Sequence, residues 1–106
     1  MSTNQFAVVT HQDGQQITIQ LQGDLDLAAS GEFRSFMEPL ANDSTNQLTL
    51  DLSKLTYIDS TGIGILISIV KVRKAAGAPF FVENVPSQVQ KLFDMTGISK
   101  FLMSSQ

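Results

Sequence analysis

The sequence predicts an α/β domain: a mixed β-sheet with an N-terminal antiparallel hairpin and flanking α-helices. Three observations predict it. Apolar and polar residues alternate on either side of an Asp-Gly pair near the start. Further on, the apolar period switches twice from two to between three and four. Each switch falls at Asp, Ser, Gly or Pro, the residues that end strands and start or stop helices. Strands alternating with helices give a parallel, right-handed strand–helix–strand unit beside the antiparallel hairpin.

Phe6, Val8 and Val9 lead into His11-Gln12-Asp13-Gly14, a tight turn. Ile17, Ile19 and Leu21 then alternate with Thr18, Gln20 and Gln22, so one face of this strand is buried. Gly23-Asp24-Leu25-Asp26 ends it. From Leu27 to Leu40 the residues Ala29, Phe33, Phe36, Met37 and Leu40 share a helical face, with Asp26 or Ser30 as the cap. Gly31 is a poor helix former inside this segment, and Pro39 marks its last turn. Ala41 to Gln47 reads as a polar loop. Leu48, Leu50 and Leu52 alternate with Thr49 and Asp51, and Leu55, Tyr57 and Ile58 carry the run to the next break. A strong helix follows, roughly Gly62 to Ala76, stopped by Gly77 with Pro79 beyond. Phe80, Phe81 and Val82 make a short buried strand. Ser87 and Gln90 have the spacing of a capping box, with Val85 as its staple. Val89, Leu92 and Phe93 face inward from that last helix, Gly97 stops it, and Ile98, Phe101 and Leu102 pack the tail.

A chain of 106 residues suits one domain, residues 1–106. Its 42% hydrophobic and 16% charged content can bury a core, which excludes disorder. The net charge is −3, and only Lys71, Arg73 and Lys74 cluster among the basic residues. That leaves no electrostatic footprint for nucleic acid or an anionic membrane. The three cations read as a solvated face at a helix end, able to steer an acidic partner. The absence of Cys excludes disulfides, thiolate metal sites and cysteine nucleophiles. Met1 to Gln5 lead into no apolar signal core, and the Ile63–Val70 run is too short to cross a bilayer. A cytoplasmic chain with no cofactor is expected.

The informative segment is Ile58 to Gly64, where a strand gives way to a helix. Backbone N–H groups and the positive end of the helix dipole meet there, beside the hydroxyls of Ser60 and Thr61. Gly62 and Gly64 allow close approach to a ligand or partner, and the site suits a phosphate, bound or covalently attached. One reading makes Asp59, Ser60 or Thr61 a helix cap and nothing more. Against it, a carboxylate and two hydroxyls in a row exceed what a cap needs. The helix beyond also carries two apolar stripes: Ile63, Leu66, Ile67 and Val70, and nearly opposite them Ile65, Ile69, Val72 and Ala76. Either a neighbouring helix covers the second stripe or it is exposed for a protein partner.

Enzyme readings find little support. Ile58-Asp59-Ser60-Thr61-Gly62 lacks the first glycine of a nucleophile elbow. His11, the one histidine, falls near the hairpin turn. Ile67 stands where a dinucleotide fingerprint needs its third glycine. Asp24 and Asp26 have no evident third metal ligand and read as a polar rim.

Taken together, Gly23-Asp24-Leu25-Asp26, Leu50-Asp51-Leu52-Ser53, Tyr57 to Gly64, Asn84-Val85-Pro86 and Leu92 to Ile98 resemble the bacterial anti-sigma factor antagonists, small proteins of one STAS domain. The resemblance runs from about Phe6 to Leu102. It implies a STAS-type fold and a phosphorylation switch. The unphosphorylated antagonist binds an anti-sigma factor that is also a serine kinase, and so frees the sigma factor. Phosphorylation at the position of Ser60 ends binding, and a serine/threonine phosphatase resets the switch. Asp59, Thr61 and Gly62 match residues framing the phosphosite, with Thr61 as the less favoured acceptor. Asp26 matches an acidic residue on the neighbouring loop, with Asp24 beside it. Ile63, Gly64 and the stripe from Ile65 to Ile69 are expected partner contacts. A second reading is a STAS scaffold in a partner-switching complex with a non-sigma output. A third is a small enzyme or phosphocarrier using His11 or a carboxylate pair.

Overall fold

The computed structural model describes residues 5–97. The expected tail packing of Ile98, Phe101 and Leu102 lies outside the described residues. The elements run β1 (Ala7–Asp13), β2 (Gln16–Leu25), α1 (Leu27–Asn42), β3 (Gln47–Ile58), α2 (Ser60–Ala76), β4 (Phe80–Glu83) and α3 (Ser87–Thr96). The sheet order is β1-β2-β3-β4, with β1 antiparallel to β2 and the other two pairs parallel. This is the mixed sheet with an opening hairpin that the periodicity predicts. Gly14 takes φ 62 in the two-residue turn between β1 and β2, the left-handed position that a tight hairpin needs.

The period-two pattern sorts the two sheet faces. Ile17, Ile19, Leu21 and Leu25 of β2 and Leu48, Leu50, Leu52, Leu55 and Ile58 of β3 point into the core. Thr18, Gln20 and Gln22 on the other face stay half-exposed. Phe33 and Met37 of α1, Ile63, Leu66 and Val70 of α2, and Val89 and Phe93 of α3 complete the core. Each such side chain contributes about 1.5–3 kcal/mol on burial. Among the described residues, no helix is long and apolar enough to cross a membrane.

One open alternative is decided and three expectations change. First, α1 packs against α2 and takes Ile65 and Ile69 into the core, so the second stripe of α2 is covered by a neighbouring helix. Only Val72, half-buried, and Ala76, exposed, continue that stripe outward. Second, α2 begins at Ser60 and not at Gly62, because Asp59 caps it. Third, Ser87 is not the cap of α3: Pro86 holds that place, and no side-chain bond caps the helix. Ser87 is already helical there, which puts its hydroxyl one residue too late for a capping box. The first turn closes through the Gln90 N–H to the Pro86 carbonyl at 2.8 Å.

Fourth, Arg73 is not part of a solvated basic face. It is 1% exposed, while Lys71 and Lys74 remain outside. Its guanidinium donates to the carbonyls of Leu40, Ala41, Asp43, Asn46 and Pro79 at 2.7–3.4 Å. It therefore closes the C-terminal end of α1, whose last carbonyls have no helical partner. Burial holds this guanidinium below its usual pKa, and the Asp43 carboxylate partly offsets that.

Asp51 organises the open sheet face. Its carboxylate accepts from the Ser53 N–H at 2.9 Å, Asn84 Nδ2 at 3.2 Å and Gln20 Nε2 at 3.5 Å. Asn84, at φ 57, turns the chain out of β4 towards α3. Burial pushes the Asp51 carboxyl up, but the bonds from Ser53, Asn84 and Gln20 outweigh it and hold the pKa below the usual value. The sign follows directly. A lowered folded pKa gives stability that is complete above the unfolded value of about 4 and is lost as pH falls below it. Asp51→Asn should flatten the acid-side fall in melting temperature between roughly pH 5 and pH 2. Thermal melts of both proteins across that range test this, and equal slopes would refute it.

Candidate functional site

The carboxyl ends of β2 and β3 lie side by side, with Leu25 opposite Ile58. Each strand runs straight into a helix, so α1 and α2 start at one corner of the molecule. Both starts need oxygen acceptors for their free N–H groups. Asp26 caps α1, its Oδ1 accepting from the Ala29 N–H at 3.1 Å. Asp59 caps α2, its Oδ1 accepting from the Thr61 and Gly62 N–H groups at 3.0 and 3.1 Å. The other oxygen of Asp59 accepts from the Leu27 N–H at 3.0 Å, so one carboxylate ties both helix starts together. Asp24 accepts from the Thr56 hydroxyl at 2.6 Å, across the same two strands.

Ser60 is exposed at the first position of α2, and Thr61 is half-buried. The cap oxygen comes from Asp59, so the fold does not consume the Ser60 hydroxyl. The expected anion-friendly N–H groups are a different matter. Asp59 already takes Thr61 N and Gly62 N through its side chain, and Ile63 N through its carbonyl at 3.0 Å. A phosphate on Ser60 therefore finds these donors occupied and an acid beside it.

The two glycines of the segment have different duties. A Cβ on Gly62 would lie 2.8 Å from Ile58 Cγ1 and 2.9 Å from both Leu25 Cγ and the Leu25 carbonyl. Its close approach is to the core and not to a ligand. A Cβ on Gly64 would meet nothing within 4 Å, so this exposed helical glycine leaves bare backbone one turn from Ser60. Ile63 and Ile65, expected as partner contacts, are 5% and 2% exposed. The sheet and α1 use both, and neither offers a side chain to a partner.

Two exposed residues here escaped the sequence reading as contacts: Leu27, 72% exposed, and Tyr57, 50% exposed. The signal for Leu27 lay in its place outside the Ala29–Phe33–Met37 face. A cleft of about 260 Å³ is lined by Gln5, Phe6, Asp24, Asp26, Ala28, Ala29 and Glu32, without Leu27. Among the described residues, no three His, Cys, Asp or Glu side chains gather as a metal site. His11 pairs with Thr18 near the start of β2, seven residues before Leu25 and so roughly 23 Å along the strand. It cannot act as a base for Ser60.

Residues 8–104 match the family model described as "Mlab, STAS domain". The anti-sigma-B factor antagonist of Bacillus subtilis (strain 168) is 29% identical over 91 residues, covering 86% of this chain and 83% of that protein. The anti-sigma factor antagonist SpoIIAA in its unphosphorylated form is similar in structure, with a TM-score of 0.77, 20% identity, and 90% and 84% of the two chains covered. An anti-sigma factor antagonist from Mycobacterium paratuberculosis gives a TM-score of 0.80 at 18% identity, covering 91% of this chain and 81% of that one.

Proposed function

The chain belongs to the STAS domain family, and we propose that it acts within it as an anti-sigma factor antagonist switched by phosphorylation of Ser60. Unphosphorylated, it binds an anti-sigma factor with serine kinase activity and frees the sigma factor. Phosphorylated, it is released, and a serine/threonine phosphatase resets it. It works in the cytoplasm as a binding module and not as an enzyme. The observation that carries this reading is an exposed Ser60 hydroxyl that the fold does not need, at a corner fixed by Asp59. The names of the similar proteins above support it.

The physical chemistry of the corner supplies the switch. A kinase must bring its nucleotide's phosphates against the Ser60 hydroxyl. After transfer, roughly 1.5–2 negative charges occupy that contact. They face phosphate oxygens across the interface and the Asp59 carboxylate within the chain. The nearest N–H groups are already bonded to Asp59, so the charge stays uncompensated. Burying it costs about 3 kcal/mol or more, at least a hundredfold in affinity. Ser60 is favoured over Thr61 because its side chain is the exposed one.

The test uses wild type, Ser60→Ala and Ser60→Asp as baits in native lysate, with the captured kinase then purified and titrated. Wild type and Ser60→Ala should bind it, and Ser60→Asp should bind at least a hundredfold more weakly. Equal binding by all three would sink the charge switch. The breadth of the matching family keeps a second reading open, a STAS scaffold in a partner-switching complex with a non-sigma output. Capture of a kinase that holds no sigma factor would favour it.

A further inference from the structure

We propose that β1 is a self-association edge: two copies of this chain pair through it, antiparallel, with Thr10 of one copy facing Thr10 of the other. The occupant is a second copy of this chain, and the two sheets become one. The proposal stands apart from the Ser60 reading, because β1 and the helix starts use different residues.

β1 lies at one end of the sheet order, and among the described residues no strand pairs with its outer side. The two-residue turn at Gly14 is closed by Asp13 and Gln16, a pair that exchanges both of its backbone bonds. Alternation then assigns Asp13, His11, Val9 and Ala7 to β2, and turns the N–H and C=O groups of Val8, Thr10 and Gln12 outward. Sheet edges are commonly blunted by lysine, proline, a bulge or shortness. The seven residues of β1 include no lysine or proline, and they pair with β2 without a register shift. The other edge strand, β4, has only four residues.

The pattern of the strand selects a second copy. With Thr10 opposite Thr10, Val8 meets Gln12 of the other copy, and each outward residue donates and accepts once across the seam. In that register Val9 faces His11 and Ala7 faces Asp13, so no ionisable side chain opposes another. The flank of α1 above the seam is apolar as well. Phe6, just before β1, meets Phe33 of α1 edge-on with ring centroids 5.6 Å apart, which sets α1 against this edge. Arg34, Glu38 and Asn42 line the groove towards α2, so Phe36 and Leu40 fall on the opposite flank, towards β1. Phe36, Leu40 and Val8 pack against the core yet stay half-exposed. A two-fold axis brings the same strip of the second copy against them, the self-complementary contact of an isologous dimer. One strand and one helix flank make a small interface, so the association is weak and concentration-dependent. The same axis reverses the strand direction, so the two Ser60 corners point to opposite ends of the dimer and both stay open.

Sedimentation velocity of the full chain, from low micromolar to millimolar concentration, tests this. Wild type should pass from monomer to dimer. Thr10→Lys and Thr10→Glu each set like charges face to face and should weaken self-association at least tenfold. Thr10 is exposed, so both variants should keep the wild-type thermal midpoint closely. An equimolar mixture of the two should dimerise again, which requires Thr10 to face Thr10. A wild type that stays monomeric across the range overturns the proposal. So does a dimer that both single variants leave intact, or one that the mixture fails to restore. Ser60→Asp should dimerise like the wild type, so the edge and the switch are read separately.

Discussion

Arg73→Met should destabilise the domain by about 3–5 kcal/mol and lower its melting temperature by roughly 15–30 °C. The methionine keeps most of the buried stem, so the loss measures the guanidinium. Five carbonyls accept from it, but they are not equally exposed to its removal. Leu40 keeps the Asp43 N–H at 3.3 Å and Asn46 Nδ2 at 3.4 Å, and Pro79 keeps the Leu48 N–H at 3.2 Å. The carbonyls of Ala41, Asp43 and Asn46 must find other donors, at about 1–3 kcal/mol each where they cannot. A buried charge can often be replaced by an apolar group when its partner goes too. Here the partners are backbone and stay. Arg73→Lys should recover only part of the loss, since an ammonium cannot span carbonyls from α1, its following loop and the turn before β4. Urea and thermal unfolding decide it, and a loss under about 1 kcal/mol for Arg73→Met would refute the account.

Gly62→Ala should cost about 2–3 kcal/mol, although alanine is the better helix former by up to about 1 kcal/mol. The new methyl meets Ile58 and Leu25 at 2.8–2.9 Å, and one of those contacts is the Leu25 carbonyl. That carbonyl accepts the Asp59 N–H at 3.2 Å, so relief of the clash moves the residue that caps α2 and holds Leu27. Stability and partner binding should fall together. Gly64→Ala is the matched control: with open space around it, it should gain stability, by up to about 1 kcal/mol. Denaturant midpoints that rose for both would show that helix propensity, not packing, decides this corner.

The identity of the strands was legible because one face of each is uniformly apolar: Ile17, Ile19 and Leu21, then Leu48, Leu50 and Leu52. The strand order β1-β2-β3-β4 was not, because alternation says which face is buried and not which strand lies beside which. The corner was legible from Asp59-Ser60-Thr61-Gly62, although not which residue caps. A cap is settled by which oxygen reaches the second and third N–H groups, and composition alone gives Asp, Ser and Thr equal standing there. Arg73 was misread because sequence places it between two lysines. What removes it from solvent is the end of α1, more than 30 residues earlier in the chain, meeting the turn at Pro79. The second stripe of α2 was ambiguous for the same reason. Ile65 and Ile69 are equally consistent with a partner protein and with α1, and only tertiary packing distinguishes them.

The ten residues of β2 run unbroken from the hairpin turn to the residue before the α1 cap. At about 3.3 Å per residue, the Gly14 turn and the Ser60 corner are some 30 Å apart. The end bearing Gly14, Gln15 and the loop before β3 is thus the natural handle of the molecule. A fluorophore, affinity tag or surface tether attached there leaves both helix starts clear, so the state of the switch can be read from a side of the protein that its partner does not cover.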